Sequence, residues 1–231
     1  MILTTGAGGK TGQAVIRALV ARREKVRALA RRPEQAAALQ DAGVADIVIE
    51  DLLDEVGMVR AMAGVKAVYL IAPNVHPEED RIGEIAITAA RTAGVKRLAY
   101  HSVLHPQTRA MPHHWRKLAV EQRLFESGLD ITILQPAAYM QNLLPYWEML
   151  VAEGRYRVPY GEGATLSLVD LEDVAEVAPL HHAHREVGLP LIVAAEFVHR
   201  HDTRVLELPG DLCLVEKALQ ILGGNVCRAR P

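Results

Sequence analysis

The first twelve residues read M-I-L-T-T-G-A-G-G-K-T-G. Residues 1–5 form a short apolar run that meets a glycine cluster, and Val15, Ile16, Leu19 and Val20 then recur at helical spacing. The segment reads strand, tight turn, helix. Gly6, Gly9 and Gly12 stand at the turn, in the pattern G-x-x-G-x-x-G. One glycine permits the backbone angles of a sharp turn, a second lets a ligand's phosphates approach the chain without a Cβ in the way, and a third lets helix and strand pack closely. The helix N-terminus behind them offers free N–H groups and the positive end of its dipole, so Gly6, Ala7, Gly8, Gly9, Lys10, Thr11 and Gly12 are expected to cradle a dinucleotide pyrophosphate. The alternative is a tight structural turn. Gly9-Lys10-Thr11 imitates the end of a nucleoside-triphosphate loop, but the glycine needed five positions before Gly9 is Thr4, which excludes that class.

Outward from this turn, strand and helix signals alternate. Strand patterns fall at 25–30, 45–50, 66–72, 97–103 and 130–134, with helical stretches at 33–42, 55–62, 79–93 and 115–126 between them. Along 79–93, Ile82, Ile85, Ala86 and Ala89 share one stripe. Such alternation, joined by short glycine-bearing turns, requires a parallel sheet with helices on both faces: an α/β, doubly wound, Rossmann-like fold. Ligands bind such sheets outside the carboxyl ends of the strands. Residues 1–136 are therefore expected to form a dinucleotide-binding domain and residues 137–231 a small C-terminal substrate lobe, with a helix near 143–152, a turn at 161–163 and a short helix at 172–177.

The strand ends supply the next candidates. Where NAD-preferring proteins place an acidic residue for the adenosine ribose, strand two ends in Arg31-Arg32. Guanidinium groups form charge-assisted bonds with a 2′-phosphate, so NADP(H) is expected ahead of NAD(H), with Lys10 adding charge. Two solvated arginines are the alternative. Asp51 and Leu52, after strand three, are placed to accept from the adenine amino group and pack its ring; helix capping is the other role open to Asp51. Ser102, after strand five, faces either the cleft or local backbone groups. Tyr139, Met140, Asn142 and Trp147 would make a mostly apolar wall suited to an aromatic or quinone-like substrate, or else simply pack the lobe.

Composition narrows the class. With 26 Lys and Arg against 28 Asp and Glu, the net charge of −2 gives no global attraction to nucleic acid or anionic lipid. Cys213 and Cys227 lack metal-type pairing and no secretory leader is evident, so a cytoplasmic location is expected. The longest strongly apolar stretch, 189–198, is interrupted by Pro190 and Glu196 and falls short of the ~20 residues that span a bilayer, so a soluble protein is expected. His101, His105, His113 and His114 crowd the region after strand five, and His181, His182 and His184 form a second group; neither has cysteine or carboxylate partners at ligand spacing, so no metal site is expected. No G-x-S-x-G elbow marks a serine hydrolase.

Over residues 2–178 the chain resembles the NmrA-like, atypical short-chain dehydrogenase/reductase family of NAD(P)-binding proteins. The resemblance rests on T-G-A-G-G-K-T-G, on A-G-V-K-A-V-Y-L-I-A-P at 63–73, on A-G-V-K-R-L-A-Y-H-S at 93–102 and on S-G-L-D-I-T-I-L-Q-P-A-A-Y-M-Q-N at 127–142. It implies a nicotinamide ribose along Ile71, Ala72 and Pro73, and a nicotinamide beside Pro136, Ala137, Ala138 and Tyr139. Reductases of this superfamily ordinarily use Tyr-x-x-x-Lys, the lysine assisting a proton-donating tyrosine. Lys117 fits the lysine, as ribose ligand or catalytic group, but the position four earlier is His113. His113 or His114 could serve as the acid, since imidazole titrates near neutrality; a surface or substrate-contact role is the alternative. After about residue 179 the sequence leaves the family's course and stops early, so an incomplete substrate lobe is expected. The resemblance implies an NADP(H)-dependent oxidoreductase passing hydride to a small carbonyl or quinone. Alternatives are a non-catalytic NADP(H) sensor acting on a regulatory protein partner, and a nucleotide-sugar epimerase or dehydratase.

Overall fold

In a computed structural model, the protein is described over residues 1–153, 167–183 and 191–195. Cys213, Cys227, the turn at 161–163, His184 and the sequence after residue 195 lie outside the described residues. Seven parallel strands build the main sheet: β1 (Ile2–Thr4), β2 (Val26–Ala30), β3 (Asp46–Ile49), β4 (Ala67–Leu70), β5 (Arg97–His101), β6 (Asp130–Pro136) and β9 (Leu191–Ala195). Their order is β3-β2-β1-β4-β5-β6-β9. The chain starts at the centre, winds to one edge, returns beside β1 and winds to the other. A crevice therefore opens between the carboxyl ends of β1 and β4, where the winding reverses.

Period-two alternation divides the core into two layers. Leu3, Leu29, Val68, Leu70, Leu98, Tyr100 and Ile133 point to a face covered by α3 (Glu55–Met62), α4 (Glu79–Thr92) and α5 (Pro112–Glu126). Ile2, Val26, Ala28, Ala30, Ala67, Tyr69 and Ala99 point to the other, covered by α1 (Lys10–Ala21), α2 (Ala36–Asp41) and α7 (Leu171–Ala183). The second face carries many alanines, which lets α1 sit close to the sheet. The predicted stripe on α4 is buried at all four positions, Ile82, Ile85, Ala86 and Ala89.

Three segments differ from the sequence expectation. Residues 33–42 are a 3-10 turn (Pro33–Gln35) leading into the short α2, because Pro33 starts the turn. The helix foreseen near 143–152 divides into a 3-10 stretch, Met140–Tyr146, containing Pro145, and α6 (Trp147–Glu153). Elements β7 (Ala138–Tyr139) and β8 (Leu168–Val169) pair apart from the main sheet, but α7 and β9 do not stay with them. Leu171, Val174 and Ala175 of α7 pack in the α1 layer, and β9 extends the sheet alongside β6. The polypeptide assigned to the lobe thus contributes a helix and a strand to the sheet domain.

Candidate dinucleotide site and the polar groups around it

Between β1 and α1 the chain turns through Gly6, whose φ of +58° lies in the left-handed region that glycine enters freely. Thr5 fixes this turn to β4: its Oγ1 donates to the Ile71 carbonyl at 2.9 Å and accepts from the Ile71 N–H at 2.7 Å. Gly12 is needed for a different reason. A Cβ there would lie 2.3 Å from the Gly6 carbonyl oxygen and 2.8 Å from the Ala7 Cα, so only glycine lets α1 start against its own loop. The first turn of α1 holds no acidic side chain and its N-cap, Gly9, makes no side-chain cap. Those features fit a dinucleotide diphosphate, because the helix dipole and N–H groups at that end are free of an internal anion.

The loop's surroundings place the remaining candidates. Gln35 lies against Gly8, where a Cβ would meet its amide nitrogen at 2.0 Å, and its Oε1 accepts from the N–H groups of Arg31 (3.1 Å) and Arg32 (3.2 Å). The glycine loop and the end of β2 are thereby joined. Both arginines are exposed, and neither makes an ion pair within the described residues. Asp51 uses Oδ1 to accept from Leu53 N–H at 2.9 Å, a local turn contact, beside buried Leu52. Ile71 and Ala72 are buried at the end of β4, and Pro73 is exposed. Lys10 donates to Asn142 Oδ1 at 2.8 Å, so Asn142 reaches across to the glycine loop. Met140 is buried, Trp147 half-buried at the start of α6.

The polar residues beyond the crevice fall into two groups, one on each face of the sheet. On the α4/α5 face, Lys117 is 8% exposed and donates to Glu79 Oε1 at 2.6 Å and to the His101 carbonyl at 3.2 Å. Tyr100 donates to the same Glu79 oxygen at 2.9 Å, and burial raises its phenol well above the ordinary range. Ser102 Oγ donates to Glu121, which also accepts from Gln135 Nε2 at 3.0 Å; burial raises the Glu121 carboxyl despite these donors. Lys117 and Ser102 therefore each have an internal carboxylate partner, and Ser102 bonds a side chain where the cleft or local backbone groups are the expectation. His113 meets His114 edge-on at 4.6 Å, and burial together with His114 lowers its pKa.

On the α1 face, Tyr69, His101 and Tyr139 form a line. Tyr69 Oη lies 2.9 Å from His101 Nδ1, and His101 Nε2 is hydrogen-bonded to the Tyr139 hydroxyl. Burial, followed by the charge of Lys117, lowers His101 to about 3. Burial pushes Tyr139 up to about 12, against a hydrogen bond from Thr11 that lowers it. Sequence reading found Tyr139 but counted His101 only within a histidine group and passed over Tyr69, Glu79 and Glu121. Strand alternation puts Tyr69 and His101 on one face, and the parallel register, with Tyr69 beside Ala99, brings them within reach.

A doubly wound parallel sheet with a glycine loop at its switch point defines a Rossmann-like α/β protein of dinucleotide-binding type. The model of the NmrA-like family matches residues 1–198, and the chain belongs to that family. It is 34% identical over 183 residues to an NAD(P)H azoreductase of Xenophilus azovorans, the match covering 77% of this chain and 62% of that protein. It is 29% identical over 213 residues to quinone oxidoreductase 2 of Escherichia coli, covering 91% of this chain and 69% of the relative. The chain thus spans about two thirds of the length of these relatives. Among solved structures, an NADPH-dependent quinone oxidoreductase of Escherichia coli complexed with NADPH superposes with a TM-score of 0.70 at 27% identity, covering 97% of this chain and 76% of that one.

Proposed function

We propose that the protein is an NADP(H)-dependent oxidoreductase that reduces a quinone or a small carbonyl compound. The observation that carries this reading is the glycine loop, where Gly12 lets α1 start directly against its own loop and the N-terminus of that helix holds no internal anion. Azoreductase and quinone oxidoreductase relatives support the reaction class. The reduced dinucleotide, when bound, supplies the hydride. Residues 6–12 would hold its diphosphate, Arg31 and Arg32 its 2′-phosphate, and Asp51 with Leu52 its adenine. Ile71, Ala72 and Pro73 would line the nicotinamide ribose, and residues 136–139 the nicotinamide. Tyr139, Met140 and Trp147 would border the acceptor, while Asn142 braces Lys10.

The α5 residues are assigned more narrowly. Lys117, already paired with Glu79 and bonded to the His101 carbonyl at the end of β5, would act on the ribose side; His113 of α5, and Ser102 just after β5, would shape the floor of the cleft. No helix among the described residues is long and apolar enough to cross a membrane. A cytoplasmic enzyme acting on a diffusible small molecule fits the two-cysteine composition.

Purified protein is titrated calorimetrically with NADP(H) and NAD(H), and NADPH oxidation is followed by absorbance against quinones, azo dyes and simple carbonyls. Tighter binding of NADP(H) and turnover of at least one acceptor are expected. Binding without turnover of any acceptor would transfer the protein to the regulatory class, for which the histidine at the usual tyrosine position already argues; absence of binding would remove both readings.

A further inference from the structure

We infer that Tyr139 is the proton donor of the reductive step, with His101 and Tyr69 as the residues that position its hydroxyl and hold its phenolate. The inference rests on the oxidoreductase reading and names the acid that this reading lacks, since the position four before Lys117, a tyrosine in reductases of the wider superfamily, is His113.

The geometry is a chain of three side chains from three strands, running from the interior to the crevice. Tyr69 is fully buried, and its hydroxyl has His101 Nδ1 as its partner at 2.9 Å. His101 Nε2 bonds the hydroxyl of half-buried Tyr139, to which Thr11 of the glycine loop also bonds. A neutral imidazole carries one N–H, so two tautomers must be compared. If the proton were on Nδ1, the Tyr69 O–H would be a buried donor with no acceptor among the described residues. With the proton on Nε2, Tyr69 donates to Nδ1 and His101 donates to Tyr139, so the donors of both buried members of the line are used. The second tautomer is the one the packing selects. His101 stays neutral because it is buried and because the Lys117 ammonium sits at its carbonyl; among the described residues, Tyr69 and Tyr139 are the titratable groups bonded to its ring.

That tautomer directs two donors, His101 Nε2–H and the Thr11 hydroxyl, at the Tyr139 oxygen. With both hydrogen bonds directed at its oxygen, the Tyr139 O–H is left to donate to an acceptor bound in the crevice. In the reaction the electrons arrive with the hydride of the reduced nicotinamide that the proposed function names. Tyr139 supplies only a proton: its O–H bond breaks, an O–H bond forms on the reduced oxygen of the acceptor, and the phenolate left behind is stabilised by the two donors until solvent reprotonates it. At neutral pH the phenol carries its proton; burial, which raises it to about 12, works against release of that proton, and the hydrogen bonds made to its oxygen work in the other direction. The arrangement parallels other sites in which a third group fixes the tautomer of a histidine acting on a neighbour, although here the histidine donates and does not itself shuttle the proton.

Two measurements decide it. Nitrogen-15 NMR of uniformly labelled protein without cofactor should show His101 as a neutral imidazole protonated at Nε2 and unchanged from pH 5 to 9; Tyr69→Phe should mix the tautomers. In turnover, Tyr139→Phe should cut kcat on a simple carbonyl by about 10²-fold or more, less on a quinone whose reduced oxygen needs less acid help, with the KM for NADPH nearly unchanged. His101→Leu should lower kcat on the carbonyl and His101→Gln, which retains an N–H, should restore part of it. A His101 protonated at Nδ1 or titrating near its ordinary value overturns the positioning role. Wild-type turnover that survives Tyr139→Phe on every acceptor overturns the acid role alone, whereas a wild-type protein that reduces nothing removes the proposed function and the acid role with it.

Discussion

At Gly12 a single methyl group separates a cradle from a blocked loop, since its carbon would sit 2.3 Å from the Gly6 carbonyl oxygen, a backbone atom that cannot swing aside. Gly12→Ala is expected to lower NADPH affinity by about 100-fold or more while leaving the far-ultraviolet circular dichroism of the sheet domain intact, because the helix would have to back away from its loop; unchanged affinity in calorimetry would show that the loop is not the phosphate site. Arg31 tests a different part of the same site. Its exposed guanidinium has no ion-pair partner among the described residues, so Arg31→Asp removes attraction for a 2′-phosphate without breaking an internal contact. The NADP(H) preference should fall by about 1–3 kcal/mol, the worth of a charged hydrogen bond; a preference that persists in full would assign the phosphate elsewhere. These residues were legible in the sequence because glycine spacing and a strand-end charge are local signals. The Tyr69–His101–Tyr139 line was not, since it exists only after β4 and β5 take their register and the chain returns from β6 to place Tyr139 beside Thr11.

Elements obey the same distinction between local and assembled information. Strands β1 to β6 and helices α1, α3, α4 and α5 could be read directly, because apolar runs and helical stripes are written in consecutive residues. Strand β9 was noticed only as an interrupted apolar stretch, for its character as a strand depends on β6 offering an open edge more than fifty residues earlier in the chain. Helix–helix spacing is also an assembled property. Gly83 lets α4 approach α5 so closely that a Cβ would lie 2.6 Å from Val120 Cγ2. Gly83→Ala gains about 1 kcal/mol of helix propensity but overpacks the contact by about 1–3 kcal/mol, so a net loss is expected. In a Val120→Ala background both γ-methyl contacts are gone, only the Cβ of residue 120 at 3.1 Å is left, and the propensity gain remains, so the same substitution should become neutral or stabilising. Urea unfolding of the four proteins measures this sign change, and equal effects in both backgrounds would deny the close approach.

The molecule as a whole carries a buried polar layer beneath its crevice, and that layer should make its stability depend on pH in a way traceable to one residue. His101 is held at about 3 by burial and by Lys117, whereas in an unfolded chain a histidine titrates near ~6.5. Above that value both states are neutral there and His101 adds no pH dependence. As pH falls below it, the unfolded chain takes up a proton that the native state refuses, so stability declines by about 1.4 kcal/mol per pH unit until the native value is reached. Glu121 acts in the opposite sense, because burial raises its carboxyl: the native state binds its proton at higher pH than the unfolded chain does, which favours folding as pH falls through its native range. The observed slope is the sum of such terms, and subtraction isolates one of them. The unfolding free energy of the wild type minus that of His101→Leu, measured in urea at pH 7.5, 6.0 and 5.0, should be level above about 6.5 and fall below it, since the variant keeps Glu121 and loses only the histidine. Curves that remain parallel down to pH 5 would mean that His101 accepts a proton in the folded protein, and with it that the hydrogen-bonded line from Tyr69 to Tyr139 does not hold the neutral imidazole on which the acid at the crevice depends.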